Sequence, residues 1–297
     1  MKELILQFLD YTRAVKNRSV HTVTSYENDL TAFVRYCESE YEIQSISMVT
    51  HLVVRSWVMT LKTSGMSNAS INRKISALKS FYKYLKRKQI VDTNPMAKVL
   101  TLKKSKRLPS FVPKKKMDYI LEPSLETRDF ESMRNDLVIS LLYLTGIRRS
   151  ELINLKYGDI DSARQELKVI GKGNKERRCP ITPDVLQSIK EYKDAKRKEL
   201  GDQDHDYLIV TSKGKKAYPK LIFNIVSRKL KAINASDRTS PHVLRHTFAT
   251  HLSSAGAELN AVKELLGHAS LAATQVYTHN SIDRLKREYQ RAHPKGE

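Results

Sequence analysis

Residue types with chemistry to offer gather in a few short stretches of the second half, and taken singly each is a weak signal. His242 and His246 stand four apart on a predicted helix, a spacing that lets two imidazoles meet one zinc ion. The residue after His242 is Val243, however, where a zinc protease needs a catalytic Glu, so no metal site is expected. Gly171-Lys172-Gly173-Asn174-Lys175 has the glycines of a phosphate-cradling loop. It lacks the spacing and the Lys-Ser/Thr ending of a nucleotide-binding loop, so ATP is not expected either. Any one of the 14 tyrosines, taken alone, reads as packing or capping.

Order along the chain says more than any single stretch. Thr145-Gly146-Ile147-Arg148-Arg149-Ser150-Glu151-Leu152 puts a guanidinium just past a helix end, and the Gly171–Arg177 stretch puts Lys172 at a hairpin turn. Pro241-His242-Val243-Leu244-Arg245-His246-Thr247-Phe248-Ala249-Thr250-His251 presents a His and an Arg on neighbouring faces of one helix. Leu265-Leu266-Gly267-His268 follows, and then Thr274-Gln275-Val276-Tyr277-Thr278-His279. In this order the chain resembles the tyrosine recombinase family, which includes the phage-type integrases, and most closely its Xer-type members. The resemblance spans nearly the whole chain, and the ending Tyr289-Gln290-Arg291-Ala292-His293-Pro294 is Xer-like as well.

The resemblance implies a role for each matching residue. Arg148 and Arg245 would hold the nonbridging oxygens of a scissile phosphate. A guanidinium suits that task because its planar fork pairs bidentately and keeps its proton. Fixed cations there stabilise the phosphorane-like transition state more than the ground state, because charge builds on those oxygens. Tyr277 would be the nucleophile, forming a 3′-phosphotyrosine and releasing a 5′-hydroxyl. A free phenol, with a pKa of ~10, is mostly protonated at neutral pH and needs help. His242 would accept its proton, Lys172 would protonate the leaving oxygen, and His268 would donate a hydrogen bond to the phosphate. The ester keeps the strand energy, so no cofactor and no metal is implied.

Each of these residues has a plainer competitor. Arg148 could simply pair with Glu151, three residues on, although in the family such an acid supports the arginine. Lys168, Lys175, Arg177 and Arg178 crowd the same hairpin as Lys172 and could exchange roles with it. His268 could close a Gly-His turn. His246, His251 and His279 read as structural, and Arg149 as a contact to the DNA backbone. Small residues through 267–274 depart from many relatives and leave the packing of the Tyr277 helix open.

The elements that must position these groups can be read from periodicity. Leu4, Phe8 and Tyr11 share one helix face, and a second helix follows Asn17 and Ser19 with Val23, Tyr26, Leu30, Phe33, Val34 and Cys37 inward. A third runs near Thr50–Lys62, and a fourth from Ser67 with Ile71, Ile75, Leu78, Tyr82 and Leu85 on one side. Asn94-Pro95 closes this region. In the second half, a helix near Asp129–Leu144 ends at Thr145-Gly146, and a short one covers Ser150–Leu155. The period then shifts to that of strands, with a hairpin through Leu167–Ile170 and Lys175–Ile181. Pro183 opens a helix to about Glu199, Tyr207–Val210 reads as strand or buried coil, and helices fill the rest.

Composition sets the outer bounds. The 297 residues carry a net charge of +21, from 53 Lys and Arg against 32 Asp and Glu. With 40% hydrophobic residues the chain can build one large core or two modest ones, and it does not read as disordered. No apolar run approaches the ~18 residues that span a bilayer, and the charged start lacks the h-region of a signal peptide. Two cysteines, Cys37 and Cys179, are too few for a disulfide framework, so a cytoplasmic location is expected. Residues 1–100, 101–116 and 117–297 each carry +7, so sixteen residues hold a third of the charge. That stretch reads as a strap against a polyanion, and DNA is the polyanion expected.

The expected fold is mainly α with a small antiparallel β-sheet, arranged as a two-domain C-shaped DNA clamp. Its parts would be a helical, SAM-like core-binding domain over 1–100, a basic linker over 101–116, and a catalytic domain with a helical tail over 117–297. The first helix starts almost at Met1, which speaks against an added arm-binding domain. The partner expected is double-stranded DNA at a specific recombination site. The chain would self-associate into a tetramer there, with or without a second, related recombinase, its tail docking on a neighbouring protomer. No membrane partner is expected. Chromosome- or plasmid-dimer resolution leads, with a mobile-element integrase and a catalytically inactive architectural protein as the rival readings.

Overall fold

Apolar periodicity and capping residues set where the helices of the first half begin and end. They are α1 (Lys2–Ala14), α2 (Val20–Tyr41), α3 (His51–Thr63) and α4 (Asn68–Arg87). The Ser19 and Ser67 side chains accept from the N–H groups of Thr22 and Ser70, satisfying donors that a helix start leaves unpaired. The computed structural model describes residues 1–103, 110–122, 129–171, 174–201, 206–235, 239–267 and 288–292. They divide into two units, residues 1–107 and 108–297, each with its own core.

In the first unit the four helices close over an aromatic centre. Phe8 packs on Tyr26, Phe81 and Tyr84, while Phe33 meets the edge of Trp57 at 4.9 Å. Beneath them Asp29 is buried and paired with Lys74 at 3.0 Å and with Arg73. The start of the basic stretch is tied to α4. The Asn72 amide donates to the Leu102 carbonyl and accepts from its N–H, and Asn68 donates to the Lys103 carbonyl.

The second unit is built around a helix that is apolar on nearly every side, α6 (Phe130–Leu144), in which Leu137 through Ile139 and Leu141 through Leu144 are all buried. Packed around it are α5 (Lys114–Leu121), α7 (Arg149–Asn154), α8 (Pro183–Leu200), α9 (Pro219–Ala232) and α10 (Pro241–Ser254). The helix α11 (Leu259–Leu266) lies on α10 and ends at Gly267 in the left-handed conformation. Proline at the first position of α8, α9 and α10 starts each where no N–H partner is needed. The strands β1 (Ile160–Asp161), β2 (Glu166–Ile170) and β3 (Glu176–Pro180) form an antiparallel sheet in that order. Leu167 lies opposite Cys179 and Val169 opposite Arg177, which makes these the inward pairs.

Mainly α with a small antiparallel sheet is therefore the observed class. The far end of the basic stretch is packed: Val112 is fully buried, its N–H donates to the Thr247 hydroxyl, and Lys114–Lys116 open α5.

Candidate active site

Two of the expected phosphate ligands come from well-separated segments of the second unit, one before α7 and one on α10. Arg148 precedes α7, and its N–H donates to the Glu151 carboxylate at 2.7 Å, half of a capping box at that helix start. Its guanidinium donates to the other oxygen of Glu151 at 2.7 Å and to the Gly267 carbonyl at 2.9 Å. Arg245 projects from α10 and donates to the carbonyls of Gly146 and Leu266, both at 2.5 Å. These bonds use two of the five N–H donors on each guanidinium and leave the others for an incoming oxygen.

A third arginine completes the cluster. Arg177 on β3 is buried and grips Glu151 with two parallel bonds, of 2.9 and 2.8 Å, while its Nε donates to the Leu265 carbonyl at 3.0 Å. Three consecutive carbonyls at the end of α11, those of Leu265, Leu266 and Gly267, thus each accept from a different arginine. Gly146 and Gly267 make the approach possible. Gly146 has φ +61°, and a Cβ there would lie 2.5 Å from the Phe248 ring; one on Gly267 would lie 3.1 Å from the Arg177 side chain.

The electrostatics follow from the contacts. Burial pushes the Glu151 carboxyl up, but hydrogen bonds and charge from Arg177, joined by the Arg148 N–H and guanidinium, outweigh it and hold the group below its ordinary value. Arg245 is pushed down to about 10 by burial and by the charges of Arg148 and Arg177. Three guanidiniums around one carboxylate leave two positive charges uncompensated among the described residues. Such a pocket favours an anion. At the first turn of α10, partial burial and the charges of Arg149, Arg245 and His246 hold His242 below 6.5. Its imidazole is therefore neutral at pH 7.

Residues 110–284 match the model of the phage integrase family, and residues 5–89 match that of the phage integrase N-terminal SAM-like domain. The chain belongs to the phage integrase family. Within it, the chain is a Xer-type tyrosine recombinase by its likeness to curated relatives. The tyrosine recombinase XerC of Listeria monocytogenes serotype 4a (strain HCC23) is 38% identical over 292 residues, covering 97% of both chains. The tyrosine recombinase XerD of Halalkalibacterium halodurans (strain ATCC BAA-125 / DSM 18197 / FERM 7344 / JCM 9153 / C-125) is 34% identical over 290 residues, again 97% of both. Among solved structures, the XerH site-specific recombinase bound to palindromic difH substrate, a post-cleavage complex, matches with a TM-score of 0.72 at 22% identity. That match covers 97% of this chain and 83% of the other and establishes the fold.

Of the six expected site residues of this Xer-type recombinase, Arg148 and Arg245 converge on the end of α11, and His242 lies three residues before Arg245 on the same helix. Lys172, His268 and Tyr277 lie outside the described residues. Glu151 does support Arg148. His251 is structural, buried with its Nδ1 2.9 Å from the Tyr143 hydroxyl. Arg177 was only one of several interchangeable basic residues in the sequence, yet it sits at the centre of the cluster. Strand alternation carried the signal: Arg177 shares a face with Cys179, which must point inward. The described end of the tail, 288–292, is seated in its own unit, with Tyr289 and Ala292 buried and Arg291 donating to the Gly256 carbonyl. No helix among the described residues is long and apolar enough to cross a membrane.

Proposed function

We propose that the chain cuts and rejoins double-stranded DNA at a specific site through a 3′-phosphotyrosine intermediate. The observation that carries this reading is the cluster of three guanidiniums around one buried carboxylate, two positive charges in excess, fixed to the helix that leads toward Tyr277. Arg148 and Arg245 bind the nonbridging oxygens of the scissile phosphate. The Tyr277 oxygen attacks phosphorus as the bond to the 5′-oxygen breaks. His242, kept neutral, takes the phenolic proton, and Lys172 gives one to the leaving 5′-oxygen, so charge and protons balance. His268 adds a hydrogen bond to the phosphate. The 5′-hydroxyl of another strand reverses the step, so bond energy is conserved and no cofactor is needed.

A helical domain of residues 1–100, the basic stretch 101–116, whose Val112 and Lys114–Lys116 already belong to the second unit, and a catalytic domain of 117–297 form the clamp in this reading. Four protomers act on two sites and exchange strands in pairs through a Holliday junction, alone or with a second recombinase, in the cytoplasm. The cellular task is resolution of chromosome or plasmid dimers. The similarity to XerC and XerD over nearly full length supports that task over integration of a mobile element.

The test is a covalent trap on a pool of nicked duplexes, from which a short 5′-hydroxyl fragment escapes after cleavage. We expect a denaturation-resistant adduct with the native chain and none with Tyr277→Phe. An adduct that survives in the Phe variant assigns the nucleophile elsewhere. Duplex binding without any adduct favours a missing partner recombinase or the architectural reading.

A further inference from the structure

The hydrogen bonds of Arg177 run in two directions at once. Through two parallel bonds it fixes the Glu151 carboxylate, whose oxygens in turn hold the Arg148 guanidinium and its N–H. Through Nε it fixes the Leu265 carbonyl in the last turn of α11, two residues before the chain leaves at Gly267 toward His268 and Tyr277. Its own side chain is only 4% exposed, so it cannot reach DNA. We propose that Arg177 is a positioning residue for the cleavage step, one that locks the phosphate-binding arginine and the root of the nucleophile-bearing segment to the same strand. The inference rests on the roles proposed for Arg148 and Tyr277.

Geometry explains why arginine is required. Lysine carries the charge but has one nitrogen, so it cannot hold two carboxylate oxygens and a carbonyl on another element together. Losing that brace lets Arg148 and α11 move independently. A misplacement of about 1 Å costs on the order of a hundredfold in rate even when the displaced group still binds. The expected signature is slow cleavage at saturating DNA, with affinity for the duplex little changed.

The experiment compares full-length native protein, Arg177→Lys, and the pair Arg177→Gln with Glu151→Gln, which removes one buried charge of each sign and keeps the net charge of the cluster. With a nicked duplex recovered from the covalent trap, we expect both variants to bind as the native chain does. Adduct formation at saturation should fall about ten- to a hundredfold. A second duplex carries sulfur in place of the 5′-bridging oxygen, a leaving group that needs no proton. It should rescue Lys172→Ala and leave the Arg177 variants slow. Native rates in either variant, or rescue by sulfur, overturn the proposal, the latter by making Arg177 part of the proton-donating hairpin. Hydrogen exchange across residues 259–267 tests the same brace without any cleavage. Faster exchange in both variants is expected, and unchanged protection overturns the proposal even if the native chain forms no adduct, an outcome that would count separately against the phosphotyrosine reading.

Discussion

Among the described residues each unit hides a carboxylate between two cations, Asp29 and Glu151, and the two clusters differ in where the cations come from. In the first unit Asp29 pairs with Lys74, nearly buried, and with Arg73, whose side chain is 49% exposed. In the second Glu151 pairs with buried Arg177 and with Arg148, 31% exposed. The device is the same: a buried acid neutralises one cation and aims the other outward. Arg73 and Lys74 are sequence neighbours on α4, however, so the Asp29 cluster orients a charge on one helix face. Arg148, Arg177 and Arg245 come from a loop, a strand and a helix, and all three meet the end of α11. Cations from distant segments make the second cluster depend on the assembly of its whole unit, whereas the first depends on the contact between α2 and α4.

Replacing the acids should break this comparison most sharply. Glu151→Ala leaves Arg177 buried without its partner, and we expect a loss of about 3–5 kcal/mol in urea unfolding together with complete loss of adduct. Asp29→Ala should cost about 3 kcal/mol, the low end of that range, because Lys74 retains some exposure and lies over the Trp57 ring. Its cleavage rate at saturating DNA should stay native. Loss of cleavage with DNA still bound would show that the two clusters are not independent.

A smaller effect sharpens the same contrast. Arg73→Ala should weaken binding evenly across sequences and lower the salt slope of the affinity by about 1, the mark of one lost phosphate contact. An unchanged slope would make Arg73 purely structural.

The smallest effect expected is that of pH. His242 is held below 6.5 by burial and then by the neighbouring arginines, so at neutral pH it stands unprotonated and open to the phenolic proton. Below 6.5 the unfolded chain takes up protons that the folded imidazole resists, so stability begins to fall there; cleavage falls only as the pH passes the lower folded value. Glu151 acts further down, its stabilisation present above 4.5 and lost as acid protonates the carboxylate. Cleavage that declines already above pH 6.5 would point to a different base. A pH series of adduct rates and melting curves separates these outcomes.

Much of this was legible in the residue pattern. Helical spacing placed α1 to α4, α6 and α8 close to their observed spans, because each buries one apolar stripe or is apolar throughout. Arg148, Glu151 and Arg245 were legible through the order of motifs that the chain shares with the tyrosine recombinases, not through any local spacing. The brace through Arg177 was not, since its partners lie 26 and 88 residues away and no local period encodes such a contact. The start of α5 was concealed by its own charge: Lys114, Lys115 and Lys116 read as linker, while Val112, Met117 and Ile120 are the buried groups that seat it. The strand β1, only two residues long, was too short for any alternation to show.

Gly146 carries no side chain to do chemistry, yet its carbonyl accepts from Arg245 and its α-carbon lies against Phe248. A scan of every substitution for recombination in cells would rank this glycine beside the arginines. A map of intolerance therefore records two different failures in one signal, lost reactivity and lost room, and at this position the second would pass for the first.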